Sequence, residues 1–177
     1  MNKKTVFSSL IIVMMLSTPA LGYDAIFDIK GTVQVSTCNY TSSLSPVVNL
    51  GEHSIGENGF GLSIDSKTPA VDWALTFDCP ENVKITVYPR GDTYSSGQNN
   101  ILALGNDATA KGVGIETLYN KGSSWLVMPL HTQTSLRGAG EKEGKVTVNF
   151  QSYYKQMDAQ VTPGKANANL NLEITYD

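Results

Sequence analysis

Apolar and polar residues alternate in short runs along most of the chain, and an apolar stripe at helical spacing is hard to find beyond the first twenty or so residues. Trp73, Leu75, Phe77 and Cys79 share one face of such a run, with Ala74, Thr76 and Asp78 on the other, because successive side chains of a strand point to opposite faces. Cys79-Pro80-Glu81-Asn82 reads as a turn, after which Val83, Ile85 and Val87 resume the pattern. Val113 and Ile115 repeat it, as do Val146, Val148 and Phe150. The segments Gly91 to Asn100 and Leu136 to Gly144 are rich in Gly, Asn, Ser or charged residues and read as loops. Short strands punctuated in this way predict an all-β sandwich or barrel, and no change of composition marks a second domain.

The two ends carry the longest alternations. Ala166, Ala168, Leu170, Leu172, Ile174 and Tyr176 alternate with Asn167, Asn169, Asn171, Glu173 and Thr175, which predicts a long, regular last strand. Near the other end Ala25, Phe27, Ile29, Gly31, Val33 and Val35 alternate with Ile26, Asp28, Lys30, Thr32 and Gln34, with Gly31 interrupting the apolar row. Alternation is equally compatible with pairing inside the same domain and with pairing to another chain.

Ahead of that arm, Lys3 and Lys4 precede an apolar run from Val6 to Leu16, followed by the small residues around Pro19-Ala20-Leu21-Gly22. This is the pattern of an export signal, residues 1–22, with cleavage after Gly22. The run is short and broken by Ser8-Ser9, whereas a retained span needs about 20 predominantly apolar residues. No later stretch is long and apolar enough to suggest membrane insertion. Removing Lys3 and Lys4 leaves 11 basic against 16 acidic side chains, a net charge of −5. A mildly acidic chain without a basic stripe has no electrostatic footprint for nucleic acid or anionic lipid.

Cys38 and Cys79 are the two cysteines, both in the exported part, where oxidation is expected to join them as a disulfide. Free thiols or half of a metal site are the weaker alternative, since neither belongs to a CxxC and no histidine is near. His53 and His131 lie in Gly-rich or polar segments with no GxSxG or HExxH around them. Glu141 and Glu143 flank Lys142 in a charged loop, a solvated face before it is an acid–base pair. The sequence therefore offers no catalytic residue, cofactor or metal, and an enzyme is the least supported class. Trp73 falls in a core-facing row and Trp125 has no aromatic companion nearby, so neither reads as a sugar-stacking platform.

One ordered set of motifs is more specific than its parts. It begins with Phe27-Asp28-Ile29-Lys30-Gly31-Thr32-Val33, Cys38 seven residues after the glycine, and Val48-Asn49-Leu50-Gly51. It continues through Phe77-Asp78-Cys79, Gly112-Val113-Gly114-Ile115 and Phe150-Gln151-Ser152-Tyr153-Tyr154, and ends in Val161-Thr162-Pro163-Gly164-Lys165-Ala166-Asn167-Ala168 with a penultimate Tyr176. In this the chain resembles the chaperone-usher pilin family, which builds type 1 and P fimbriae, and the resemblance covers all of it after the export signal. It implies an incomplete immunoglobulin-like sandwich that lacks its last strand, completed in trans by a donor strand. It divides the chain into a donor arm, residues 23–37, and a pilin domain, residues 38–177.

By the same resemblance, Ala25, Phe27, Ile29, Gly31, Val33 and Val35 are the donor row. Gly164, Ala168, Leu170, Leu172, Ile174 and Tyr176 mark the edge to which a periplasmic chaperone, and then a neighbouring subunit, adds its strand. The implied partners are that chaperone, an outer-membrane usher and other fimbrial subunits. The implied destination is the cell surface, reached through the periplasm. A minor subunit at the fibre tip with receptor-binding loops is the alternative role; a two-domain tip adhesin would need room that this chain lacks.

Overall fold

A computed structural model of the chain describes residues 37–41, 47–95 and 98–177. The export signal and the donor row Ala25, Phe27, Ile29, Gly31, Val33 and Val35 lie outside these residues. Ten strands are found among them, and the architecture is all-β. They are β1 (Asn39–Tyr40), β2 (Val71–Cys79), β3 (Ile85–Arg90), β4 (Thr93–Ser95) and β5 (Gln98–Leu102), then β6 (Val113–Lys121), β7 (Ser124–Val127), β8 (Thr134–Arg137), β9 (Gly144–Gln156) and β10 (Asn171–Tyr176).

Two antiparallel sheets form a sandwich. The larger runs β1-β2-β9-β6-β5-β4, with β7 pairing the far end of β6; the smaller runs β10-β3-β8. Strand β9 lies between β2 and β6, its Phe150 level with both Trp73 and Tyr119. Leu75, Phe77 and Cys79 on β2 and Val148 and Phe150 on β9 pack against Val83 and Ile85 at the start of the smaller sheet. The face expected for β2 is therefore the one that is buried. Trp73 is half-buried, stacked on Phe150 at 4.2 Å and donating its indole N–H to Ser152 Oγ at 3.0 Å. Cys38 and Cys79 form the disulfide. In the loop-entropy account a closed loop of this length restrains the unfolded chain by roughly 4 kcal/mol.

Some boundaries differ from those the sequence suggests. Gly91 to Asn100 contains β4 and the start of β5, because burial of Ile101 and Leu102 draws the polar residues before them into a hairpin. Leu136 and Arg137, expected in a loop, end β8, and Arg137 is 1 % exposed. The last alternating run is strand only from Asn171; residues 162–167 bond instead to the loop 105–111, where Gly105 N donates to Asn167 O at 2.7 Å and Thr109 and Ala110 N donate to Lys165 O at 2.9 and 3.1 Å. Segment 52–68 closes the Gln156 end of β9, with Asp65 N donating to Gln156 O and Gln156 N to Ser66 O.

Candidate functional site

The sandwich has one flank where its two sheet edges meet, and β10 forms one lip of it. β10 pairs with β3 over its whole length, from Asn171 opposite Arg90 to Tyr176 opposite Ile85. Among the described residues β3 is its only strand partner, so its second row of backbone groups faces away from the sheet. Backbone donors and acceptors left in that position are a template for another strand. The opposite lip is β1, which edges the larger sheet and pairs only with β2 among the described residues.

The side chains of β10 divide as a strand's must. Leu172, Ile174 and Tyr176, with Leu170 just before them, are half-buried and packed against the central core cluster. Tyr176 meets Phe77 edge to face with ring centroids 6.4 Å apart, and Tyr40 of β1 meets the same Phe77 at 5.5 Å. These two tyrosines thus lean on one phenylalanine from the two lips, over a core whose inner residues are fully covered. On the outer face Arg90 Nε pairs with Glu173 at 2.6 Å, holding that carboxyl below its usual range, and the hydroxyls of Thr86 and Thr175 are hydrogen-bonded. Lys84 and Asp177 exchange both main-chain hydrogen bonds at the end of the strand.

The run leading into β10 is fixed by close approach. A Cβ on Gly164 would lie against Thr109 Oγ1 and 2.7 Å from Ala110 N, so that position is reserved for a residue without one. Lys165 bonds through its backbone N to Thr109 Oγ1 at 2.8 Å and through its ammonium to Asp107 at 2.5 Å, and Tyr154 Oη donates to Ala166 O at 3.0 Å. Of the residues expected at this edge, Leu170, Leu172, Ile174 and Tyr176 come together over the core. Gly164 and the half-buried Ala168 instead belong to the approach that aims them.

Two charged side chains that the sequence reading missed support this frame. Arg137 donates Nη1 to Pro80 O at 3.2 Å and to Val83 O, and Nη2 to Glu141 O and Lys142 O at 3.0 and 2.7 Å. Its Nε has no hydrogen-bond partner but stands 3.5 Å from Glu141 Oε2. The guanidinium thereby clamps the turn between β2 and β3, beside the pairing of Lys84 with Asp177. Glu116, buried on β6, accepts from Tyr153 Oη and from Lys155 Nζ at 3.3 Å and lies 3.7 Å from Lys67 Nζ. Burial pulls the Lys155 pKa down, but Asp65 and Glu116 outweigh it and the net shift is upward. That lysine is held as a cation, which suits a clamp and not a nucleophile. A lone Arg or Glu in a polar segment gives no sign of burial at sequence level.

The histidines are not part of any such cluster: His53 Nε2 is 2.8 Å from Leu50 O, and His131 is exposed beside the Tyr88 ring. Among the described residues no group of three His, Cys, Asp or Glu side chains is arranged to hold a metal ion, and no helix is long and apolar enough to cross a membrane.

Comparison with known proteins adds a lineage to this geometry. Residues 27–177 match the family model described as fimbrial protein. The chain is 30 % identical over 144 residues to the type 1 fimbrial subunit of Salmonella typhimurium, covering 77 % of this chain and 74 % of that one. It is 29 % identical over 166 residues to the type-1 fimbrial protein subunit of Serratia marcescens, covering 82 % and 83 %. Among solved structures, a chaperone-usher pilus superposes with a TM-score of 0.59 at 17 % identity over 90 % of this chain and 99 % of that one. The rod subunit of the P pilus gives 0.57 at 15 % identity over 80 % and 100 %. At such identities the structural likeness speaks for the fold alone.

Proposed function

The chain belongs to the fimbrial protein family and is a fimbrial subunit, and on that premise we propose that it enters a chaperone-usher surface fimbria by donor-strand exchange. The observation that carries this reading is the state of β10: among the described residues it is an edge strand, and its inward row, Leu170, Leu172, Ile174 and Tyr176, is half-covered over a closed core. Addition of a strand along a sheet edge satisfies the backbone and covers such a row at once, and donor-strand complementation is an established form of it. A periplasmic chaperone lends the first strand, and at the outer-membrane usher the arm of the next subunit replaces it.

The arm, residues 23–37, follows residues 1–22, which direct export and are removed. Period-two geometry sends Ile29, Gly31, Val33 and Val35 into a neighbour's groove, with Ala25 and Phe27 continuing the row and Lys30, Thr32 and Gln34 left outside. Gly31 meets the groove where its floor is shallow and a Cβ would clash.

The test mixes the mature domain, held by its chaperone, with a peptide of residues 23–37 and follows chaperone release and thermal stability. Release with a large gain in Tm is the expected result and marks a subunit that polymerises with its own kind. A domain that is stable and monomeric with neither chaperone nor peptide overturns donor-strand exchange. In the intact chain, Gly31→Val leaves folding unchanged and abolishes fibres; fibres in normal yield from that variant would remove the arm from the mechanism.

A further inference from the structure

Two exposed apolar patches lie away from the groove, and they are unlike in charge. The first is β7, where the consecutive Trp125, Leu126 and Val127 are 38, 42 and 39 % exposed. Neighbouring residues of a strand point to opposite faces, so both faces of β7 are apolar. Only β6 pairs with it among the described residues, which leaves its outer edge open to added chain. The hairpin from Lys121 to Val127 contains one charged residue, Lys121, and it is exposed.

The second patch is on segment 52–66, where Ile55, Leu62 and Ile64 are 46, 70 and 54 % exposed beside the exposed carboxylates of Glu52 and Glu57. This cap is held in shape by hydrogen bonds from Gly61 N to Ser66 Oγ at 3.2 Å and from Ser66 Oγ to Gln156 at 2.8 Å. Gly61 lies so close under Ile55 that a Cβ there would stand 2.9 Å from its Cγ2. The apolar side chains are therefore presented on a built surface.

Val127 is level with Leu118 and hence with Gln151 of β9, whereas the cap attaches at Gln156. At about 3.3 Å per residue the two patches are roughly 16 Å apart along the sheet at their nearest and do not cover each other. Each copy thus offers two different apolar surfaces, one beside the Lys121 cation and one beside the Glu52 and Glu57 anions, the adjoining Asp65 and Lys67 being paired with Lys155 and Glu116. That is the arrangement of a heterologous contact, which propagates into an open helical array when the rotation does not close.

We propose that the β7 edge of one subunit docks on the 55–64 cap of another copy of this chain, a second subunit contact besides the one through the groove. It rests on the fimbrial polymer reading above. Three apolar side chains on each side make a small contact beside the roughly 1,000 Å² that a stable free complex buries. Subunits already tethered through their grooves see each other at an effective concentration of order millimolar, where a small contact suffices. The contact accordingly forms in fibres and not between free subunits.

The experiment is made on assembled fibres. Trp125→Cys and Leu62→Cys are placed in one chain, the fibres are oxidised mildly, and subunits are separated on a non-reducing denaturing gel; the native Cys38–Cys79 pair is buried and already oxidised. The expected result is a disulfide-linked ladder from the double variant and none from either single variant. In that background Lys121→Glu or Glu57→Lys alone lowers the ladder several-fold, and the two together restore it. Normal fibres with no ladder overturn the proposal, as does a ladder from Trp125→Cys alone, which would mean β7 meeting β7. Fibres that give no ladder but lose binding to glycan-coated surfaces on Trp125→Ala assign the patch to a receptor instead. Absence of fibres from the unmodified chain removes the polymer reading itself, and this contact with it.

Discussion

Strands β9 and β10 carry the same alternation and meet different fates. On β9 the inward Val148, Phe150 and Ser152 are buried, because β2 and β6 close both edges and the smaller sheet lies opposite. On β10 the inward Leu172, Ile174 and Tyr176 rest on the same core but stay half-exposed, since β3 closes only one edge among the described residues. Apolar side chains on a strand are covered by what lies above them and also by what lies beside them. A missing neighbour therefore leaves the backbone row unpaired and the side-chain row unfinished together, and one added strand completes both.

The comparison breaks most severely at β9. Phe150→Ala removes a ring that is 0 % exposed and should lower stability by about 3–5 kcal/mol, enough to unfold a marginal domain. Urea unfolding of the arm-filled domain measures it, and a loss below about 1 kcal/mol would mean that the core is elsewhere. Gly164→Ala acts on the approach to β10 by forcing a Cβ onto the main chain at 109–110; overpacking of this kind costs about 1–3 kcal/mol. Hydrogen exchange should show protection lost at β10 and retained at β9, and uniform loss would contradict the separation drawn between them.

Ile174→Ala sharpens the contrast further, because its cost depends on whether the groove is filled. With the groove open the half-covered side chain contributes about 1 kcal/mol, and with the arm peptide bound about 2–3 kcal/mol, the difference being apolar area newly removed from water. Equal costs in the two states would show that nothing lands on Ile174.

The smallest effect is one of pH. Burial, with the hydrogen bond to Asp158 second, pushes the Tyr94 phenol up to about 12 from 10.0. A raised folded-state value means that this contribution is intact below pH of about 10 and is lost as pH rises from there to about 12. Tm should fall less steeply across that window in Tyr94→Phe than in the unmodified chain, with the slope from β10 unaffected. Identical slopes would place Tyr94 outside the alkaline response.

Much of the sandwich was legible because period-two alternation names the buried face of a strand directly. The rows Trp73 to Cys79 and Val146 to Phe150 are where the pattern puts them, and the two cysteines meet. The row Leu170 to Tyr176 was legible as a row, while the alternating arm at residues 23–37 lies almost wholly beyond the described residues. The hairpin of β4 and β5 was hidden because most of its residues ahead of Ile101 are polar, and the buried Ile101 and Leu102 at the end of β5 anchor it. Arg137 and Glu116 were hidden for the converse reason: a charge goes inside where carbonyls or ammonium groups from distant segments gather to receive it.

The sequence by itself determined which side chains of the main strands point inward and carried the motifs of a fimbrial subunit, since these depend on local period and on motifs in order. Only the tertiary structure decided how many neighbours each strand has. That is why β9 is core and β10, among the described residues, an edge, why Gly164 must lack a Cβ, and why Trp125, Leu126 and Val127 remain outside. Partner number is a property of sheet order, set by which distant segments arrive beside a strand, and no window of residues along the chain contains it.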